Sequence, residues 1–441
     1  MAASGGLSAR RAGAIRGEAR APGDKSISHR ALVLGALAGG ESTVAGLLEG
    51  HDVLRTAAAM RALGAEVERD LTDKGPIWRI SGAQWRSPER ALYFGNSGTG
   101  CRLVLGAAAG AGVSARFDGD LSLRNRPMRR VAEPLIAMGA KVEVADGRLP
   151  IDLYPGALHG VEYALPVASA QVKSAILLAA LGAKGTTTVI EPAPSRDHTE
   201  RMLAAFGARL DIAAAGGGRR IAIEGGQQLK AASVEVPGDP SSAAFLAAAA
   251  AIAPGSDVLI RNVLVNPLRA GFYATLKEMG AAVEFVGARN LSGEPVADIR
   301  VRHAPLNGVV VPAQCAPSMI DEYPILSIVA AFASGTTRME GLAELRVKES
   351  DRLAAIEDGL KANGVIAKSG LDWLEVQGRN GDVAGGGLVK TRLDHRIAMS
   401  FLVMGLASEK PVSIDDAAMI ATSFPDFVAT LRGLGGEIAP Q

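Results

Sequence analysis

Six times along the chain a helical stretch stops at a glycine and gives way to a short run of alternating apolar and polar residues. The copies are MRALGAEVE (60–68), LIAMGAKVEV (135–144), MLAAFGARLDI (202–212), LKEMGAAVEF (276–285), LKANGVIAK (360–368) and LRGLGGEIA (431–439). Glycine readily closes a helix in a left-handed conformation. Gly64, Gly139, Gly207, Gly280, Gly364 and Gly435 therefore predict six helix-to-strand joints, 68 to 84 residues apart. Upstream of each lies a second shared pattern, an apolar helix running through a turn into a β-branched strand, as in LVLGALAGGESTV, ILLAALGAKGTTTVI, IVAAFASGTTRME and LVMGLASEKPVSI. Each unit reads loop–helix–strand–loop–helix–strand. Six matched pairs at similar spacing are a repeat, not a chance run of α/β units.

A coarser symmetry lies over this one. Pro22-Gly23-Asp24-Lys25-Ser26 returns as Pro237-Gly238-Asp239-Pro240-Ser241, each between a strand and an Ala-rich helix. The pattern predicts two halves of three units, residues 23–236 and residues 1–22 with 237–441. The chain would cross between them twice, which makes a double-strand hinge, and a cleft at such a hinge is a usual ligand site.

Composition narrows the function. In 441 residues, 47 Lys+Arg face 46 Asp+Glu, and aromatic residues are only 4%. Net charge predicts no attraction to nucleic acid or membrane, so an anion site has to be built locally. Cys101 and Cys315 stand apart from one another and from any histidine at ligand spacing, which predicts neither a disulfide framework nor a metal site. The longest apolar stretch, 242–253, is too short to cross a bilayer. The N-terminal arginines lack the hydrophobic segment of a secretory signal. The expectation is a cytoplasmic protein.

The polar motifs stand just before the apolar helices, where unpaired N–H groups and the helix dipole favour anions. In 22–30, Gly23 permits close backbone approach, Ser26 can cap the helix, and Lys25 and Arg30 supply a point charge and a fork. Gly95-Asn96-Ser97-Gly98-Thr99-Gly100, followed by Arg102, has the make-up of a backbone nest, though such strings also form plain turns. Of Arg124, Arg126, Arg129 and Arg130, the first and last two suit a solvated helix start. Arg126, before Pro127, suits a clamp on a carboxylate or phosphate. Ser169 would cap a helix whatever the function, whereas Gln171 in the first turn is harder to explain structurally. Arg196-Asp197-His198-Thr199-Glu200 reads as a charged helix start, with Asp197 as cap and His198 structural. Asp321 could likewise be only a cap. Arg346 to Arg352 is a dense polar run after a strand, and Asp394-His395-Arg396 puts three charged groups before a buried helix.

Taken in order, Gly23-Asp24-Lys25-Ser26-Ile27-Ser28-His29-Arg30, Asn96-x-Gly98-Thr99, Arg126-Pro127, Ser169-x-Gln171, Asp321-Glu322, Lys348 to Arg352, Asp394-His395-Arg396 and Phe424-Pro425-Asp426 resemble the 5-enolpyruvylshikimate-3-phosphate synthases over nearly the whole chain. Ser169-Ala170-Gln171 with Arg196 to Glu200 resembles the class II branch. The resemblance implies an α/β, two-domain enolpyruvyl transferase fold, an inside-out α/β barrel of six βαβαββ repeats, three per domain. It implies transfer of the enolpyruvyl group of phosphoenolpyruvate to shikimate 3-phosphate, with no cofactor or metal, by a monomer acting on small molecules. By motif match, Lys25, Ser26, Arg30, Ser169, Ala170, Gln171, Arg196, Asp321 and Lys348 would hold shikimate 3-phosphate. Lys25, Gly98, Arg126, Gln171, Arg352 and Arg396 would hold phosphoenolpyruvate. Asp321 would be the base, Glu349 the acid, and Lys25 would steady developing charge.

Two departures qualify the match. Thr422-Ser423 replaces a lysine that many class I members carry before Phe424-Pro425, and the class II Asn-x-Thr-Arg segment reads Asn266-Pro267-Leu268-Arg269. Gly98, rather than alanine, implies a glyphosate-sensitive enzyme. One rival is a UDP-N-acetylglucosamine enolpyruvyl transferase, which needs a loop cysteine that 117–127 lacks. The other, a non-catalytic repeat scaffold, has no use for Asp321 and Glu349.

Overall fold

The computed structural model describes residues 5–73 and 75–441. Among these residues the strands form six four-stranded sheets on one plan. In the second repeat, Leu92–Tyr93 runs parallel to Ala115–Asp118. That strand is antiparallel to Ile151–Tyr154, whose outer edge takes Lys141–Val144, also antiparallel. Helical segments link the first strand to the second and the second to the third, which is the βαβαββ order of the repeat. The third and fifth repeats match it strand for strand.

Three sheets borrow a strand from far along the chain. Ser233–Glu235 lies parallel to Glu41–Ala45, and Arg16–Arg20 lies parallel to Asp257–Leu264. Leu7–Arg10 sits antiparallel between Val412–Ile414 and Glu437–Pro440. The chain divides into two compact units. One holds Gly23–Val236 and the turn Leu291–Glu294; the other holds the segment ending at Pro22, Pro237–Asn290 and Pro295–Gln441.

All six joint glycines have positive φ, from 77° to 110°, which an L side chain resists. Each unit buries three helices. In one, Pro240–Ile252, Tyr323–Phe332 and His395–Gly405 are buried at every residue. In the other, Lys25–Leu37, Gly98–Ala111 and Ala170–Ala180 are buried through their middle turns. Helices apolar on every face belong inside, so the sheets form the outer layer. Small residues set the spacing. A Cβ on Gly106 would lie 2.2 Å from the Ala175 carbonyl oxygen, and one on Gly182 would lie 1.8 Å from that of Gly110. No described helix is long and apolar enough to cross a membrane.

Candidate active site

Within the Gly23–Val236 unit the three buried helices bring their first turns together. Gln171 Nε2 donates to Thr99 Oγ1 at 2.8 Å, and a His29 ring nitrogen lies 3.5 Å from Ser97 Oγ. These are contacts between residues near helix starts, so three N-termini point to one end of the unit. That is the arrangement from which a neutral protein gains a local positive field.

Lys25 opens the first of these helices. The cap is Asp24, not Ser26: its carboxylate accepts from Ile27 N at 2.8 Å, and Ser26 is the helix's second residue. An aspartate accepts from the third N–H without bending the chain, which leaves Ser26 inside the turn. Gly23 is required by crowding, since a Cβ there would lie 2.0 Å from the Gly46 carbonyl oxygen. Lys25 Nζ lies 3.4 Å from Asp52 Oδ2, a partner with no signal in the sequence, because an acid in a first helical turn is commonplace. Arg30 is buried. It donates to Thr199 Oγ1 at 2.7 Å, Ser174 Oγ at 2.8 Å and the Ser26 carbonyl at 2.9 Å.

The second helix is capped by Ser97, and Gly98 is its first residue. A Cβ on Gly98 would stand 2.9 Å from Arg126 Nη1 and 3.0 Å from Arg102 Nη1. Arg126 is buried and donates to Asn96 Oδ1, whereas Arg124 and Arg129 are exposed and Arg124 pairs with Asp118. Arg102 donates to Gln171 Oε1 at 2.7 Å and to the Pro127 carbonyl at 3.1 Å. Its guanidinium thereby decides which way the Gln171 amide faces. The third helix starts at Ala170, with Ser169 as its cap, accepting from Val172 N at 3.5 Å.

Arg196 sits in the loop before the helix His198–Ala205, and that loop is pinned from below. Lys173, fully buried, lies 3.0 Å from Glu191 and 2.7 Å from Glu200. Lys173 and Arg219 both donate to the Ser195 carbonyl, at 3.4 and 2.8 Å. Asp197 occupies the cap position without a capping hydrogen bond and pairs instead with Arg201 at 3.0 Å. His198 Nδ1 meets Glu294 at 2.7 Å. Asp197, His198 and Glu294 bring their ligand atoms within 4.8 Å of one another, but Arg201 and Arg219 already offset these carboxylates, so the cluster is an ion-pair network.

The other unit gathers the remaining candidates around Arg352. This guanidinium is buried and contacts Asp394 at 2.8 Å, Glu349 at 2.6 Å and Asp321 at 3.3 Å. Burial alone would lower its pKa, but Asp394, Glu349 and Asp321 outweigh burial and raise it, so Arg352 stays charged. Lys348 Nζ lies 3.5 Å from Asp321 Oδ1. Arg396 donates to the Asp321 carbonyl at 3.1 Å and takes its own helix cap from Asp394, at 2.9 Å from its backbone N. Asp321 precedes the helix-start residue Glu322 and is no cap; its carboxylate faces the two cations. Thr422, where a lysine was missing, is buried with its hydroxyl on the Met419 carbonyl at 2.6 Å. Arg269 is a buried anchor, 3.2 Å from Asp239 and 3.0 Å from Ser241.

Two further groups are set by burial. His29 is held well below its usual pKa, first by burial and then by Lys25 and Arg30, so the ring is neutral at pH 7. Burial pushes the Cys101 thiol up to about 12. A thiol so placed is no nucleophile.

A family model described as EPSP synthase (3-phosphoshikimate 1-carboxyvinyltransferase) matches residues 9–431. A 3-phosphoshikimate 1-carboxyvinyltransferase of Methylobacterium sp. (strain 4-46) is 58% identical over 443 residues, covering 98% of each chain. The protein so named from Rhodopseudomonas palustris (strain BisA53) is 57% identical over 442 residues, again 98% of each. Among solved structures, an EPSP synthase from Acinetobacter baumannii matches with a TM-score of 0.85 at 41% identity, over 99% of this chain and 100% of that one. The enolpyruvyl transferase NikO of Streptomyces tendae, at 20% identity and a TM-score of 0.77 over 99% of each chain, shares the fold.

Proposed function

Because the chain belongs to the EPSP synthase (3-phosphoshikimate 1-carboxyvinyltransferase) family, we propose that the residues gathered at its helix starts bind and activate that family's two substrates. The protein is an enzyme that transfers the enolpyruvyl group of phosphoenolpyruvate to the 5-hydroxyl of shikimate 3-phosphate, releasing phosphate. It acts in the cytoplasm, as a monomer, on small molecules.

Shikimate 3-phosphate is assigned to Lys25, Ser26, Arg30, Ser169, Ala170, Gln171, Arg196, Asp321 and Lys348. Phosphoenolpyruvate is assigned to Lys25, Gly98, Arg126, Gln171, Arg352 and Arg396. The observation that carries this reading is the convergence of three helix starts within the Gly23–Val236 unit, with Lys25, Arg126 and Gln171 held around it. Two phosphates and a carboxylate repel one another, and fixed cations at these positions offset that repulsion.

In the first step the acceptor oxygen attacks C2 of phosphoenolpyruvate. Asp321 takes the hydroxyl proton, and Glu349 gives a proton to C3. Lys348 and Arg352 beside Asp321 favour the carboxylate that a base requires. Glu349 shares Arg352 with Asp321 and Asp394. To act as the acid, Glu349 has to carry a proton when both substrates are bound. In the second step Glu349 takes a proton back from C3 as phosphate departs, and Asp321 gives the hydroxyl proton up to the leaving phosphate, so both carboxyl groups return to their starting states. Atoms and charge balance without a redox partner.

Phosphate release on mixing the two substrates tests the reading. We expect turnover by the full chain and inhibition by glyphosate that phosphoenolpyruvate relieves. Full activity in a large excess of glyphosate would contradict the assignment of Gly98.

A further inference from the structure

We propose that Thr199 and Ser174 are positioning residues for shikimate 3-phosphate, acting through Arg30; the proposal rests on the assignment of Arg30 to that substrate. The Nε and Nη2 groups of an arginine form one edge of its planar fork, the edge that a carboxylate commonly takes with two parallel bonds. Here that edge meets two hydroxyls, Thr199 Oγ1 at 2.7 Å and Ser174 Oγ at 2.8 Å. The third arm is tied to the Ser26 carbonyl at 2.9 Å. The guanidinium plane is thus fixed at three nitrogens.

The hydroxyl protons can be placed from the distances. Ser174 Oγ lies 2.5 Å from the Ala170 carbonyl, which can only accept, so the serine proton goes there. Thr199 Oγ1 lies 2.6 Å from Ser174 Oγ, and with the serine proton committed, threonine is the donor. Both oxygens then turn lone pairs toward Arg30. The result is a one-way chain from Arg30 through Thr199 and Ser174 to the Ala170 carbonyl. Hydroxyls orient the fork and, unlike a carboxylate, bring no negative charge of their own beside an anion site.

The chain joins elements that carry the acceptor's other proposed ligands. Thr199 lies in the first turn of His198–Ala205, three residues after Arg196. Ser174 lies one turn beyond Ala170 and Gln171. Disturbing the hydroxyl pair should therefore weaken the acceptor and leave phosphoenolpyruvate, assigned to Arg126, Arg352 and Arg396, largely untouched.

The test uses the full chain and its Thr199→Val, Thr199→Ser and Ser174→Ala variants, with KM measured for each substrate and thermal midpoints recorded. Valine keeps the volume of threonine and removes the acceptor. A hydrogen bond to a charged group corresponds to about tenfold or more in affinity. Thr199→Val should raise KM for shikimate 3-phosphate about tenfold, with KM for phosphoenolpyruvate within about twofold, and Thr199→Ser should restore most of the loss. An acceptor KM within twofold of the parent, or an equal rise in both KM values, would overturn the proposal. Should Thr199→Val fail to fold, Ser174→Ala decides by the same two criteria. A parent chain inactive with this substrate pair would instead overturn the functional reading, and this inference with it.

Discussion

Gly98 and Cys101 show how closely single atoms are specified at the start of the second buried helix. A Cβ on Gly98 would press on the ends of Arg126 and Arg102, two flexible side chains, so the fold can absorb it while the two guanidinium groups shift. Gly98→Ala should therefore lower the thermal midpoint little but raise KM for phosphoenolpyruvate about tenfold, the cost of about one displaced charge-assisted hydrogen bond. Steady-state kinetics against each substrate would check this; unchanged KM for phosphoenolpyruvate would place Arg126 outside its binding. Cys101, one turn on, is buried with its thiol pushed up to about 12. Iodoacetamide at pH 7.5 should leave activity intact, and rapid inactivation would revive a mechanism with an essential thiol. That Arg126 differs from its neighbours was legible, because it alone of its cluster precedes a proline, and it is the one of the four that is buried. The Lys25 to Asp52 pair was not, because nothing in a local string brings residues 27 apart together.

At the level of elements, helix starts and the turns before them do most of the positioning. Residues 391–394 form a tight turn in which Asp394 N donates to the Thr391 carbonyl at 3.0 Å, and both central residues, Arg392 and Leu393, have positive φ, 53° and 58°. Non-glycine residues resist this conformation, and Leu393 is exposed, so little packing compensates it. Leu393→Gly should raise unfolding stability by about 0.5–1 kcal/mol, read from denaturant midpoints. The repeat pattern predicted a strand-to-helix joint here but not its handedness, because Arg-Leu carries none of the turn chemistry of Asn-Gly. His29 gives a second element-scale test. Folded, the ring stays neutral well below the ordinary imidazole value of 6.5, while the unfolded chain takes up a proton there. Stability should then fall as pH drops below about 6.5, by up to about 1.4 kcal/mol per pH unit from this group. His29→Gln should lose less stability than the parent between pH 7 and pH 5.5, and parallel losses would show that another group governs the acid limb.

Across the whole molecule, the helix-stop glycines and apolar runs made six helix–strand–helix–strand repeats readable, and six sheets are found; the further strand of each, borrowed from far along the chain in three of them, had no signal in that pattern. The class of chemistry was readable too, since cations and acids cluster before buried helices. The hidden parts are those in which a residue acts through another. Arg102 orients Gln171, Lys173 anchors the Arg196 loop, and Thr199 with Ser174 holds Arg30; each looks in sequence like ordinary helix surface or a plain helix start. Burial turns them into fixed parts, and burial is a property of the assembled helices rather than of any segment. In the proposed mechanism Asp321 is the base of the enolpyruvyl transfer, with Lys348 and Arg352 beside it favouring the carboxylate. The most direct test of that role is single-turnover phosphate release from phosphoenolpyruvate and shikimate 3-phosphate by the parent and by Asp321→Ala. The variant is expected to bind shikimate 3-phosphate but to release phosphate at least about 100-fold more slowly. A rate within about threefold of the parent's would contradict it.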